Sequence, residues 1–379
     1  MNMFYLRSRI FFGEDALSAL KDLEANRVAI FTDAFLQKSG VSDRIASMIP
    51  QASQVRVFSE IRPDPPVDMI AKALAFLLET DTDTVIALGG GSSIDAAKAT
   101  VLMYEQQVGR DVKLVAIPTT SGTGSEVTRV AVVTDPEEGK KYPLFSEALL
   151  PNAAILAGDL TVSVPPAVTA HTGFDVITHA LEAYVSVNAN DFTDAFAEKA
   201  LELAFTYLPI AYHEGENLRA REKMQTASCL AGMAFNDAGL GVNHGIAHAL
   251  GAVFHLPHGM ANAMILYHVM QYNAELDRAR YSGEPNRVCN RLARIARFIH
   301  HPAFTKQQGA RNLLAEIKRL TVEMQIPQTL GEAGISRADY EAQREHIVES
   351  ALLDACTATN PRKVDAEAIR AILRGIERF

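Results

Sequence analysis

Between Arg27 and Leu156 short apolar runs rich in β-branched residues alternate with amphipathic stretches, and this alternation constrains the fold more than any other feature. "RVAIFTD" (Arg27–Asp33) has the continuous apolar character of a strand buried on both faces, and "GVSDRIASMI" reads as the helix after it. "VRVFSEI" is a second strand, and "PPVDMIAKALAFLLE" a helix with proline near its start. "DTVIALGGG" is a third strand, "SIDAAKATVLMY" its helix, and "KLVAIPTTSGTGSE" a strand that breaks into a polar loop. Such βαβ units imply a parallel sheet. "TRVAVVTDPEEGKKYPLFS" predicts two strands around a turn at 135–139. The start, "MNMFYLRSRIFFGEDAL", predicts a strand, a glycine turn and the beginning of a helix. From Pro166 onward helical periodicity dominates. A chain of 379 residues is long for one core, so two domains are expected: an α/β domain over 1–164 and an α-helical domain over 165–379.

The charge balance narrows the function classes. Lys and Arg number 36 against 45 Asp and Glu, a net charge of −9, which argues against nucleic acid or an anionic membrane as partner. The 3 cysteines, Cys229, Cys289 and Cys356, are far apart and form no CxxC, so neither a disulfide framework nor a thiolate metal site is expected. No apolar run approaches the roughly 18 residues of a membrane span, and the N-terminus lacks the apolar stretch of a signal peptide. A cytoplasmic compartment is the expectation.

Three features suggest a dinucleotide. "VIALGGGSSIDAAKA" places Gly89, Gly90 and Gly91 between a strand and a helix. Glycine permits close approach of a ligand, and the helix N-terminus offers amides to an anion. Ser92 and Ser93 add hydroxyls and a helix cap. This is neither GxGxxG nor a Walker motif, and such turns also serve packing alone. Asp33 ends the first clear strand, where a carboxylate can accept from ribose hydroxyls and repel the extra phosphate of NADP. A lone aspartate there is more often a solvated turn residue. "PTTSGTGSE" puts Thr119 and Thr120 on a loop at a strand's C-terminal end, the ligand edge of open parallel sheets.

The second domain carries the ingredients of a metal site. In "VPPAVTAHTGFDVITHALEAYVS" Asp175 and His179 are i, i+4 and share a helix face. A carboxylate and an imidazole so placed suit Fe²⁺ or Zn²⁺, although one such pair is also an ordinary surface hydrogen bond. "GVNHGIAHALGAVFHLPHG" holds His244, His248, His255 and His258, four of the 11 histidines. Spacing favours His244 with His248 as the remaining ligands. It excludes neither His258, beyond a helix break at "LPHG", nor His255, which beside Leu256 and Pro257 reads as structural.

These residues together match a family. "GGGSSIDAAK", "PTTSGTGSEVT", "TGFDVITHALEAY" and "GLGVNHGIAHALGAVFHLPHGMANAM" resemble the iron-dependent (group III) alcohol dehydrogenases, from Tyr5 to about Asn273 and more weakly to "NPR" at 360–362. "KYPLFSEALLPNAAIL", "FTDAFAEKA" and "AGMAFNDAGLGVNHGIAH" are most like the propanol dehydrogenases of propanediol-utilisation microcompartments. The resemblance implies an α/β Rossmann-like dinucleotide-binding domain, an all-α metal-binding domain and a cleft between them, the architecture shared with dehydroquinate synthases. It maps the metal ligands to Asp175, His179, His244 and His258, which displaces His248 from the quartet. His248 then stands close to nicotinamide and substrate as the candidate proton relay. Cofactor contacts carried over are Asp33, Asp64, Gly90, Gly91, Ser92, Thr119, Thr120 and Lys141. Asp64 stands where many members carry Asn, and Val130 where some carry a polar residue.

The implied activity is NAD(H)-linked interconversion of short primary alcohols and aldehydes, propanal and 1-propanol foremost, with Fe²⁺, or Zn²⁺ in its place. A homodimer and microcompartment shell or core proteins are the implied partners, although nothing before Phe4 looks like an amphipathic encapsulation peptide. The rivals are a zinc-dependent glycerol or diol dehydrogenase of the same fold, a dehydroquinate synthase, and a non-catalytic metal-binding scaffold. A phosphorylated substrate wants Arg and Lys, and the metal-motif stretches contain none, which favours a small uncharged substrate.

Overall fold

The computed structural model describes residues 4–136, 140–276 and 285–379. The chain divides into two compact units, Met1–Ser163 with Glu216–Asn236, and Val164–Gly215 with Asp237–Phe379. The first unit therefore reclaims a helical segment, 216–236, that the expected division at 164/165 assigns to the second.

In the first unit β1 (Arg9–Phe12), β2 (Arg27–Asp33), β3 (Gln54–Ile61), β4 (Thr84–Gly89), β5 (Lys113–Pro118) and β8 (Ala153–Leu156) form one parallel sheet in the order β1-β8-β5-β4-β2-β3. The short helices α1 (Ala34–Lys38) and α2 (Val41–Ser47) follow β2, α3 (Val67–Thr80) follows β3, and α4 (Gly91–Val108) follows β4. Every residue of β4 is buried, as an apolar run with no polar alternation requires. Alternate residues serve opposite faces. Ala29, Phe31, Val85 and Ala87 pack with Met69, Ile70 and Leu77 of α3 and Ile94 of α4. Val28, Ile30, Ile86 and Leu88 pack on the other side with Leu17, Leu20 and Ile45. β6 (Val130–Asp135) and β7 (Lys140–Phe145) pair antiparallel as expected, while the turn predicted at 135–139 falls partly outside the described residues. The start of the chain is a strand, a left-handed Gly13 and a 3₁₀ helix, Ala16–Asp22.

This strand order decides where a ligand fits. After β2 the chain moves outward to β3, then returns to the other side of β2 as β4 and continues to β5. The reversal lies between β2 and β4, and parallel strands bring the C-terminal ends of β2, β4 and β5 to one edge. Asp33, Gly89 and Thr119 stand at those three ends.

The second unit is helical: α5 (Pro166–Val185), α6 (Asp191–His213), α8 (Val242–Phe254), α9 (His258–Asn273), α10 (Arg287–Phe298), α11 (Lys306–Glu323), α12 (Arg337–Leu353) and α13 (Ala366–Leu373). α7 (Leu218–Ala238) belongs to the first unit as far as Asn236. α5 starts with Pro166 in its first turn, and its residues 173–185 are all buried. Asn190 and Thr193 close a reciprocal capping box at the start of α6. α8 ends at His255, which is left-handed (φ 54°), and Pro257 caps α9 in an extended conformation, so His258 is the first residue of α9. Among the described residues no helix is long and apolar enough to cross a membrane.

Candidate metal centre and cofactor edge

Within the second unit α5, α8 and the first turn of α9 bring Asp175, His179, His244 and His258 together, with their ligand atoms all within 4.8 Å of one another. Asp175 Oδ1 is the hub: the Nε2 atoms of His258, His244 and His179 lie 3.4, 3.8 and 3.9 Å from it. Ligands held about 2.0–2.2 Å from one tetrahedral cation stand roughly 3.3–3.6 Å apart, so this spacing fits a divalent ion with little adjustment. Asp175, His179 and His244 are buried, whereas the His258 side chain is 39% exposed and marks the open flank.

His244 is in the chemical state a metal ligand needs. Burial, reinforced by His179, His258 and His248 around it, holds His244 well below the usual histidine range and therefore neutral. Asn262 Nδ2 lies 2.8 Å from Asp175 Oδ1 and 3.2 Å from Nε2 of both His244 and His258. Its Oδ1 accepts from Asn243 Nδ2 at 2.9 Å, which orients the amide. An amide NH₂ can only donate, so the atoms facing it are acceptors, as metal ligands must be. Behind His244, Glu182 Oε2 stands 2.5 Å from Nδ1. Burial pushes the Glu182 carboxyl up to about 8 against the opposing pull of the Asn243, His244 and Gly241 amides.

His248 lies outside the quartet. Its ring stacks on His258 with centroids 5.2 Å apart, and its Nδ1 is 2.8 Å from Asp354 Oδ2. Burial raises the Asp354 carboxyl, but the hydrogen bond and charge of His248 and the Cys356 amide outweigh it and hold Asp354 below its ordinary value. Residues His248, Asp354 and Cys356 form a second, more exposed group of ligating atoms. His255 is an exposed helix C-cap apart from both groups.

On the first unit the glycine turn and the threonine loop meet. Thr119 donates its amide to Gly89 O at 3.0 Å. A Cβ on Gly91 would fall 2.6 Å from Thr123 Cγ2, and one on Gly90 would fall 3.2 Å from Thr120 Oγ1, so the two loops touch where glycines stand. α4 is capped by Gly90, with no side-chain cap bond, rather than by Ser92 or Ser93; Ser92 lies in its first turn, half-buried. A glycine cap leaves the first amides of α4 without a side-chain acceptor of their own. The threonine loop is stapled from below by buried Lys98, which donates to Ser125 Oγ at 2.9 Å, Thr128 O at 2.7 Å and Val130 O at 2.9 Å. Asp95 accepts from Ser125 Oγ at 2.6 Å and Val132 N at 3.1 Å. Asp33 caps α1: its Oδ1 accepts from the amides of Phe35 and Leu36 at 2.8 and 2.9 Å. Asp64 and Lys141 are paired with each other at 2.5 Å, both exposed.

Sequence reasoning passed over Glu182, Asn262, Asp354 and Lys98. A signal for Glu182 exists, because Asp175, His179 and Glu182 follow the i, i+4, i+7 spacing of one helix face. Asp354 has none, being 106 residues from His248.

A Rossmann-like parallel sheet with its ligand edge at a strand-order reversal, and a helical unit centred on one aspartate and three histidines, define a metal-dependent dehydrogenase. The chain belongs to the iron-containing alcohol dehydrogenase family: residues 7–157 match the iron-containing alcohol dehydrogenase model and residues 169–376 the C-terminal model of the same family. It is thus an oxidoreductase of the alcohol dehydrogenase type. The 1-propanol dehydrogenase PduQ of Salmonella typhimurium is 46% identical over 377 residues, 98% of this chain and 99% of the relative. The NADPH-dependent butanol dehydrogenase of Clostridium saccharobutylicum is 36% identical over 98% of this chain and 97% of its own length. Among solved structures, a 1,3-propanediol oxidoreductase superposes with TM-score 0.89 at 34% identity, covering 99% of both chains. The sulfoacetaldehyde reductase of Bifidobacterium kashiwanohense, solved in complex with NAD⁺, superposes with TM-score 0.85 at 27% identity, covering 99% of this chain and 98% of that one.

Proposed function

We propose that this chain interconverts short primary aldehydes and alcohols, propanal and 1-propanol foremost, using NAD(H) and an Fe²⁺ ion held by Asp175, His179, His244 and His258. The convergence of one carboxylate and three imidazoles from α5, α8 and α9 carries the reading. When bound, the cation supplies Lewis-acid polarisation of the substrate oxygen and the nicotinamide supplies or accepts the hydride. The chain's residues do the rest. His248, fixed through Nδ1 by Asp354, presents Nε2 as the proton-relay atom beside the exposed ligand His258. The bare amides at the start of α4, with Gly90, Gly91, Ser92, Thr119 and Thr120, hold the cofactor's phosphates and ribose. Lys141 and Asp64 contribute from β7 and the loop after β3. Zn²⁺ suits the same donors, so exchange of the ion during purification is expected.

The likeness to a 1-propanol dehydrogenase supports propanal as substrate, and the absence of Lys and Arg from both metal-motif stretches supports a small uncharged one. The resemblance to propanediol-utilisation enzymes supports a cytoplasmic homodimer associated with a microcompartment. The test is NADH oxidation by anaerobically iron-loaded protein: turnover with propanal is expected, and faster turnover of a sugar phosphate would overturn the substrate class.

NAD(H) is expected to be preferred over NADP(H), because Asp33 ends β2 at the ligand edge. Its Oδ1 is committed to the α1 cap, leaving Oδ2 for a ribose hydroxyl. Asp33→Gly should raise the NADP(H)/NAD(H) ratio of kcat/KM while costing only a few tenths of a kcal/mol in stability, since glycine is a tolerable helix cap. An unchanged ratio with unchanged Tm would remove Asp33 from the cofactor site.

A further inference from the structure

Two histidines one turn apart on α8 each turn Nδ1 to a carboxylate, and the two carboxylates differ in kind. Asp354, behind His248, has a side chain 20% exposed. Glu182, behind His244, is 1% exposed and lies on α5, three residues after His179. Its two oxygens are divided: Oε2 faces His244 Nδ1 at 2.5 Å, and Oε1 accepts the Asn243 amide at 2.8 Å. A Cβ on Gly241 would fall 2.7 Å from Oε1, so the α8 N-terminus rests directly on the carboxylate.

A carboxylate buried this completely is unfavourable without a compensating task. Capping α8 is not a sufficient one. Asn190, Asn286 and Ser336 cap α6, α10 and α12 in this chain with neutral side chains. The Asn262 NH₂ 3.2 Å from Nε2 can only donate, so Nε2 is the acceptor nitrogen of His244. The ring therefore carries its proton on Nδ1, where Oε2 accepts it, and the Nε2 lone pair faces the Asp175 hub 3.8 Å away. A glutamine could present its NH₂ to Nδ1 instead, allowing the opposite tautomer, and has no charge to raise the basicity of the ring.

We propose that Glu182 is a positioning residue of the metal centre: through Nδ1 it fixes His244 in the tautomer that binds a cation and thereby sets the affinity of the site. This rests on the reading of Asp175, His179, His244 and His258 as ligands. The Asn243 amide on its second oxygen connects α8 to α5, so the same carboxylate aligns the helix that carries the ligand.

The test is anaerobic competition for Zn²⁺ between a chromophoric chelator and wild-type or Glu182→Gln protein, with apo-protein Tm recorded in parallel. The expected result is an apo Tm close to wild type and a Zn²⁺ affinity about 10- to 100-fold weaker. Equal affinity at equal Tm would overturn the role of Glu182 while leaving the ligand set standing. A wild-type protein that binds no Zn²⁺ stoichiometrically would overturn the ligand set and this inference with it. Should Glu182→Gln fail to fold, ¹⁵N-histidine spectra of Zn²⁺-loaded wild type decide: His244 is expected protonated at Nδ1 and ligated through Nε2, and the reverse arrangement would overturn the proposal.

Discussion

His244→Ala and His258→Ala proteins should purify without bound cation and without measurable dehydrogenase activity, whereas His248→Ala should hold a full complement of metal and turn over slowly. The three histidines are close neighbours: ring centroids of His244 and His258 are 5.3 Å apart, those of His248 and His258 5.2 Å. Proximity therefore does not separate them, but convergence does. His244 and His258 direct Nε2 at Asp175 Oδ1, at 3.8 and 3.4 Å, and His248 belongs to a different group with Asp354 and Cys356. Removing one of four protein ligands leaves three, and the folded site then binds the cation far less tightly. Loss of the relay at His248 should lower kcat by ~10²-fold, the usual range for a positioned acid–base group. Asp354→Asn should act in the same direction by a smaller factor, since the ring remains and only its orientation is relaxed. Metal per chain and kcat, measured anaerobically on all four variants, give the answer. A metal-free His248→Ala beside a fully loaded His258→Ala would make the i, i+4 pair His244/His248 the ligands instead.

Gly259→Ala should destroy the metal centre without touching a ligand. A Cβ at this position would stand 2.0 Å from the carbonyl oxygen of His171 and 2.6 Å from its carbonyl carbon. Both are backbone atoms of α5, so no side-chain rotation relieves the clash, and α9 must move away from α5 by an ångström or more. Overpacking of this kind costs roughly 1–3 kcal/mol. The adjacent residue is His258, which depends on this approach to reach Asp175, whereas ligand distances tolerate only about ±0.2 Å. The expected outcome is a Tm lowered by several degrees together with loss of stoichiometric metal. Gly251→Ala in α8 is the matched control. Its nearest neighbour, Leu256 O, would be at an ordinary 3.5 Å, and alanine favours a helix interior by about 0.5–1 kcal/mol over glycine. That variant should be metal-loaded and no less stable than wild type. A Gly259→Ala protein with wild-type metal content would show that the α5–α9 spacing does not govern the site.

The parallel sheet was legible in the sequence because its central strands are buried on both faces. β2 and β4 must be apolar at nearly every position, and β2 runs Arg27–Asp33 as the pattern predicts. The glycine turn and threonine loop were legible for a related reason: backbone closer than a Cβ permits requires glycine, and Gly91 meets Thr123 at such a distance. Asp175 and His179 announced themselves by sharing one face of one helix. These are properties of a single element, and a single element's periodicity is written in its own residues. The end of the first unit at Ser163 lies one residue from the expected 164, whereas the return of 216–236 to that unit had no periodic signature.

The choice between His248 and His258 could not be made that way. Both spacings are compatible with a site, and local geometry favours the pair on one helix. The tertiary structure gathers His258, not His248, with Asp175, His179 and His244, and four ligands around one ion must approach from different directions. The left-handed turn at His255 and the extended Pro257 start α9 at His258, and Gly259 lets that helix close on α5. Four donor atoms then converge from three helices, while His248 is left to Asp354, a carboxylate 106 residues away. Sequence periodicity encodes which residues share a face. Which faces meet, and which buried carboxylate stands behind each histidine, depends on contacts between residues far apart in the chain, and those exist only once the helices have packed.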